Sequence, residues 1–151
     1  MAPFIFELTL EAVKFYEKFF EYPYPFPVYH QVWVHEFKFR AMENAGLVVF
    51  DDFFLYKEEA SASKMYDLAD TITHEISHHW FGNLVTMEWW DDLWLNESFA
   101  FFISHLCNEA IKDSLKTYKF ESITAGFVDM KGWGYEEDKR SLTTHPIRGQ
   151  V

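Results

Sequence analysis

The stretch "TITHEISHHW", residues 71 to 80, holds three histidines and a glutamate within six positions. It sits in a segment where Met65, Leu68, Ile72 and Ile76 recur at helical spacing. On a helix, residues four apart differ by only about 40° around the axis, so His74 and His78 can address one ion. His74 and His79 differ by about 140° and cannot. Glu75 is turned about 100° from the first histidine, placed to reach a water on that ion without binding the ion itself. This is the H-E-x-x-H arrangement, in which the glutamate is the general base of a zinc site.

Zinc in a hydrolytic site takes three protein ligands and keeps one position open. Glu97, in "LWLNESF" (93 to 99), follows His78 after 18 intervening residues. Gly82 and Asn83 mark a turn within them, so a second helix can return beside the first and bring Glu97 to the pair. The single cysteine, Cys107, lies elsewhere, so thiolate ligation is not expected and no internal disulfide can form. His30, His35, His105 and His145 have no partners at ligand spacing and are expected at the surface or packed in the core.

Working outward, "TLEAVKFYEKFF" (9 to 20) predicts a helix capped by Thr9, with Val13, Phe15, Tyr16, Phe19 and Phe20 on its apolar face. "YPYPFP" (22 to 27) must end it. "QVWVHEFKF" (31 to 39), "GLVVF" (46 to 50) and "FFLY" (53 to 56) predict short strands. Helices are expected from about Lys64 to Gly82, from Leu93 to about Ala110, and over 113 to 128. The segment from Gly132 onward is polar and turn-rich and predicts loop. The pattern is α+β: a helix, a small sheet, then helices. Three stretches are expected within one partial domain over 1–151: about 1–60 with the first helix and strands, about 61–128 with the metal-bearing helices, and about 129–151 as a loop-rich tail.

Composition bounds the function. There are 13 Lys and Arg against 24 Asp and Glu, a net charge of −11. No basic patch for phosphate contacts is available, so nucleic acid is not an expected partner. No stretch has the run of about 18 apolar residues of a membrane helix. The opening "MAPFIFELTL" lacks the features of a secretory signal, and a cytoplasmic location is the mild expectation. Seventeen Phe, eight Tyr and six Trp are many for a chain of 151 residues. They imply a bulky core, or a surface covered by another domain or chain.

The segment "HEISHHWFGNLVTMEWWDDLWLNESFA" (74 to 100) resembles the zinc-binding core of the gluzincin aminopeptidases. "FRAMENAG" (39 to 46) resembles that family's G-x-M-E-N substrate-binding strand, and "YPYPFPVYHQVWVHEF" (22 to 37) the stretch leading into it. The resemblance implies a thermolysin-like catalytic domain, represented here in part. It implies one Zn2+ on His74, His78 and Glu97, with Glu75 as base. It further implies a substrate strand through Ala41, Met42, Glu43 and Asn44, in which Glu43 grips the free α-amine of a peptide. The implied reaction is removal of single residues from peptide N-termini.

Arg40 stands where the family has glycine, where it could narrow specificity, attract acidic side chains or obstruct the cleft. The family's oxyanion-stabilising tyrosine lies farther downstream of the zinc glutamate. "SLTTHPI" (141 to 147) resembles the segment just before it, so the chain is expected to end short of that tyrosine. The family's flanking domains are expected to be missing as well. Two functions therefore compete: a zinc aminopeptidase, or a catalytically impaired relative serving as a structural subunit of an assembly. A metal-free binding module explains nothing of the ligand spacing.

Overall fold

The computed structural model describes residues 1–56, 59–120, 124–140, 142, 144, 146 and 147. It is built from α1 (Ala2–Phe19), β1 (His30–Val34), β2 (Ala41–Met42), β3 (Leu47–Asp51), α2 (Ala62–Ser77), α3 (Trp94–Ile111) and α4 (Thr124–Asp138). The α+β order expected from the sequence is the one observed.

Helix α1 starts earlier than Thr9. Phe4, Ile5, Leu8, Ala12 and Tyr16 form its buried stripe, and Pro3 sits in its first turn, where a missing N–H costs nothing. Thr9 lies inside the helix, and its hydroxyl accepts from Gln31 Nε2 (3.0 Å) instead of capping. At the far end Glu21 takes a left-handed φ of 52°, and Tyr22 N donates to the Glu17 carbonyl (3.2 Å). This closes the last turn before the prolines.

The three strands lie in the order β1-β3-β2. β1 runs parallel to β3, with His30 beside Leu47 and Val34 beside Asp51. β2 runs antiparallel, with Ala41 beside Phe50 and Met42 beside Val49. Val48 and Phe50 of the central strand point into the core, and Trp33 stacks on Phe50 at 4.7 Å between centroids. The expected strand 31–39 stops at Val34, because the chain turns at Glu36 (φ 51°) and returns as β2. "FFLY" is not a strand. Asp51 accepts from Phe53 N (2.9 Å) and caps a 3-10 turn over Asp52–Phe54, a local side-chain bond that competes with extended structure.

Ser61 caps α2 by accepting from Lys64 N. The buried face of α2 carries Met65, Leu68, Ala69, Ile72 and Ile76 against α1 and α3. Tyr16 of α1 donates its hydroxyl to the Thr73 carbonyl at 2.8 Å, fixing α1 to the turn that carries His74. The helix ends at Ser77, short of Gly82. His79 N and Trp80 N bond carbonyls three residues back, tightening the last turn. Gly82 then adopts φ 123°, and its N–H donates to the Val85 carbonyl (2.8 Å).

Helix α4 corrects the expected loop. Gly132 and Gly134 read as turn residues, yet both lie inside Thr124–Asp138. Ion pairs one turn apart, Lys139–Glu136 (2.6 Å) and Arg140–Glu137 (2.8 Å), support its C-terminal end. Only the first residues of α4 overlap the helix expected over 113–128; residues 113–120 are turns and irregular chain. His145 lies outside the described residues.

Candidate metal centre

His74 stands in the last turn of α2, His78 is its C-terminal cap, and Glu97 is in the first turn of α3. Their donor atoms converge. His74 Nε2 lies 3.0 Å from His78 Nε2 and 3.2 Å from Glu97 Oε2, and His78 Nε2 lies 3.8 Å from Glu97 Oε1. A tetrahedral shell with bonds of about 2.0–2.2 Å places its donors roughly 3.3–3.6 Å apart. Two lone-pair nitrogens and a carboxylate facing one point, with both histidines buried, fit one divalent ion. Hydrogen bonding with His74 and then His78 holds the Glu97 carboxyl well below the usual carboxylate range. It is therefore anionic throughout the neutral range, as a carboxylate that could hold a cation must be. The His78 ring has its other nitrogen, Nδ1, 3.2 Å from the Phe81 carbonyl, which fixes the proton there and leaves Nε2 free to ligate.

Glu75 is buried beside the pair, and its Oε2 has no hydrogen-bond partner among the described residues. Burial pushes its carboxyl well up, helped by the negative charges of Glu43 and Glu97. Donor atoms of Glu43, Glu75 and His78 also lie within 4.8 Å of one another, so Glu43 faces the same space from the opposite wall.

His79 is outside the shell. Its Nδ1 donates to the Glu75 carbonyl (3.1 Å) and its Nε2 accepts from Gly46 N (3.2 Å), so the ring is a neutral strut between the strands and α2. Burial lowers its pKa, in keeping with that role. His105 is a buried packing residue hydrogen-bonded to the Tyr66 hydroxyl (3.0 Å), and His35 makes a surface pair with Asp52 (3.2 Å).

Ala41 and Met42 form β2, the edge of the sheet, and Glu43 follows directly. The Asn44 carbonyl accepts from Leu47 N (2.9 Å) and closes the turn into β3. Asn83 Nδ2 donates to the Glu43 carbonyl (2.8 Å), and Asn96 Nδ2 donates to Glu43 Oε1 (3.2 Å) and Glu97 Oε1 (2.9 Å). Sequence reasoning missed both asparagines. Asn96 adjoins Glu97 in "WLNES", but a neutral amide signals nothing until the turn after α2 brings Glu43 across.

Arg40 is engaged by an acid of α2. Its guanidinium donates to Asp67 Oδ1 (2.5 Å) and lies 5.2 Å from the Phe54 ring centroid. It forms one wall of a cavity of about 560 Å³ that also reaches Asp70, His74 and Glu75.

Comparison with known proteins agrees with this geometry. The Peptidase family M1 domain matches residues 4–151. The chain is 40% identical to an "Aminopeptidase N" of Streptomyces lividans over 97% of its own length and 17% of that protein. It is 40% identical to a "Leucyl aminopeptidase" of Saccharolobus solfataricus, covering 98% of this chain and 18% of that protein. It is also 40% identical to a "Tricorn protease-interacting factor F2" of Thermoplasma acidophilum, covering 96% and 18%. A family match over nearly the whole chain, on a fold that converges two histidines and a glutamate, defines a metallopeptidase catalytic core. The chain belongs to peptidase family M1. It spans less than a fifth of the length of these relatives.

Proposed function

We propose that this chain carries the metal-binding and base-bearing part of a zinc aminopeptidase site, with one Zn2+ on His74, His78 and Glu97. The observation that carries the reading is the convergence of those three ligands next to a buried Glu75, with Glu43 facing them. Bound there, zinc supplies Lewis acidity toward a peptide carbonyl and acidifies a water. Glu75 would take the proton of the attacking water and deliver it to the leaving amine. Glu43 accepts a charge-assisted hydrogen bond from the substrate's free α-ammonium, which sets cleavage after one residue. Asn96 holds Glu43 and Glu97 in register. The open edge of β2, at Ala41 and Met42, suits pairing with an extended peptide backbone.

The second reading, a structural subunit without turnover, is favoured by one observation. Trp89, Trp90, Leu93, Trp94, Phe101 and Phe102 are exposed on the strand of chain that carries Glu97. Such a face suits a covering domain or partner chain. Among the described residues no helix is long and apolar enough to cross a membrane.

The test is release of amino acids from N-terminal amide substrates by zinc-loaded protein. Glu75→Gln is expected to keep stoichiometric zinc and lose about 10²–10⁴-fold in rate. Zinc-loaded wild type that is inert, and that forms a stoichiometric complex with another chain, selects the second reading.

A further inference from the structure

The two histidine ligands differ in how their second nitrogen is held. His78 Nδ1 faces the Phe81 carbonyl. His74 Nδ1 is buried and has no hydrogen-bond partner among the described residues. A ligand imidazole gives its Nε2 lone pair to the metal and so carries its proton on Nδ1; that buried N–H then requires an acceptor.

One helical turn back on the same face of α2 is Asp70. The described hydrogen bonds of its carboxylate fall on Oδ1, which accepts from Ser104 Oγ (3.1 Å) and Asn108 Nδ2 (3.2 Å) of α3 and lies 3.7 Å from His105 Nδ1. Asp70 and His74 line the same cavity of about 560 Å³. The neighbouring acid on that wall, Asp67, is engaged by Arg40.

We propose that Asp70 is the positioning residue of the metal ligand His74: its Oδ2 accepts the Nδ1–H, directly or through one water in the shared cavity. The inference rests on the zinc reading above. Ser104 and Asn108 anchor the carboxylate from α3, so the helix that supplies Glu97 also orients the first histidine. The carboxylate fixes the tautomer and ring plane of His74 and raises the basicity of Nε2.

The test uses the full chain labelled with 15N-histidine. Zinc affinity is measured by competition with a chromophoric chelator, and the His74 Nδ1–H resonance is followed by NMR in the zinc-loaded protein. Asp70→Asn is expected to lose 10–100-fold in affinity and to lose the protected Nδ1–H signal. Asp67→Asn, on the same wall, is expected to stay within about twofold of wild type, as a change that leaves the ligand's partner in place. Unchanged affinity in Asp70→Asn overturns the proposal, and so does lost affinity with the Nδ1–H signal intact. If Asp70→Asn fails to fold, the wild-type resonance decides: a protected Nδ1–H supports the proposal and a freely exchanging one overturns it. His78→Ala separates the two readings. No loss of zinc on that change sinks the three-ligand site itself, whereas loss there with none in Asp70→Asn sinks only the role of Asp70.

Discussion

Asp70 is a buried carboxyl with two hydrogen-bond donors on Oδ1 and the His105 ring 3.7 Å away. Burial pushes its pKa up to about 6, although the Ser104 hydroxyl and His74 oppose the shift. Its folded-state value lies above its unfolded one. Its stabilising contribution is therefore complete below about pH 4 and is lost as the pH rises through about 6. A shift of about two units corresponds to roughly 3 kcal/mol. In the metal-free protein Asp70→Asn should flatten this loss, raising the melting temperature over wild type at pH 8 and little at pH 4. Thermal unfolding at the two pH values checks it. The same substitution is expected to weaken zinc, so the site keeps a destabilising charge for the sake of its ligand. Asn96 is the other single-residue lever, since one amide holds the carboxylates of Glu43 and Glu97. Asn96→Ala should cost about tenfold in zinc affinity, near 1.4 kcal/mol, as read by metal titration.

At the scale of elements, the turn after α2 sets the distance between the two ligand-bearing helices. Gly82 has a φ that side chains rarely adopt, and a Cβ there would collide with Asn96 Oδ1 and crowd His78 Nδ1 (3.1 Å). Gly82→Ala should cost more than about 1 kcal/mol and disturb the site through both neighbours. Melting curves with and without zinc check this: the loss should be larger with zinc, because the metal-bound arrangement needs Asn96 in place. Elements whose residues agree at every level were legible in the sequence. The period of α2 and the His74–His78 spacing point one way. "FFLY" and "GWGYEED" were not legible, because in each the residue pattern pointed elsewhere. Asp51 bonds the Phe53 N–H and curls the first; the second stays helical through Gly132 and Gly134, with i,i+3 ion pairs beyond them at its C-terminal end.

At the scale of the whole molecule, much apolar surface faces outward. Phe6 is 74% exposed and Trp89 61% exposed, and Trp90 and Phe102 are about half exposed. Surface of that kind seldom stays bare. The isolated 151-residue chain should therefore self-associate at micromolar concentration. Trp90→Lys with Phe102→Lys should lower that association without changing zinc affinity. Sedimentation velocity and metal titration give the two readouts. A monodisperse wild-type chain would show that the exposed rings drive no association.

The sequence by itself determined how the residues of the H-E-x-x-H stretch sit around α2. A helical turn of a little under four residues aligns His74 with His78, leaves His79 off that face and sets Glu75 beside them. These are consequences of backbone geometry that need no tertiary information. Only the tertiary structure decided what surrounds them. The Gly82 turn brings Asn96 against Glu43, Arg40 pairs with Asp67, His79 becomes a strut to Gly46, and α3 holds the Asp70 carboxylate. These contacts join residues about 27 to 53 positions apart, and no local period encodes such a separation.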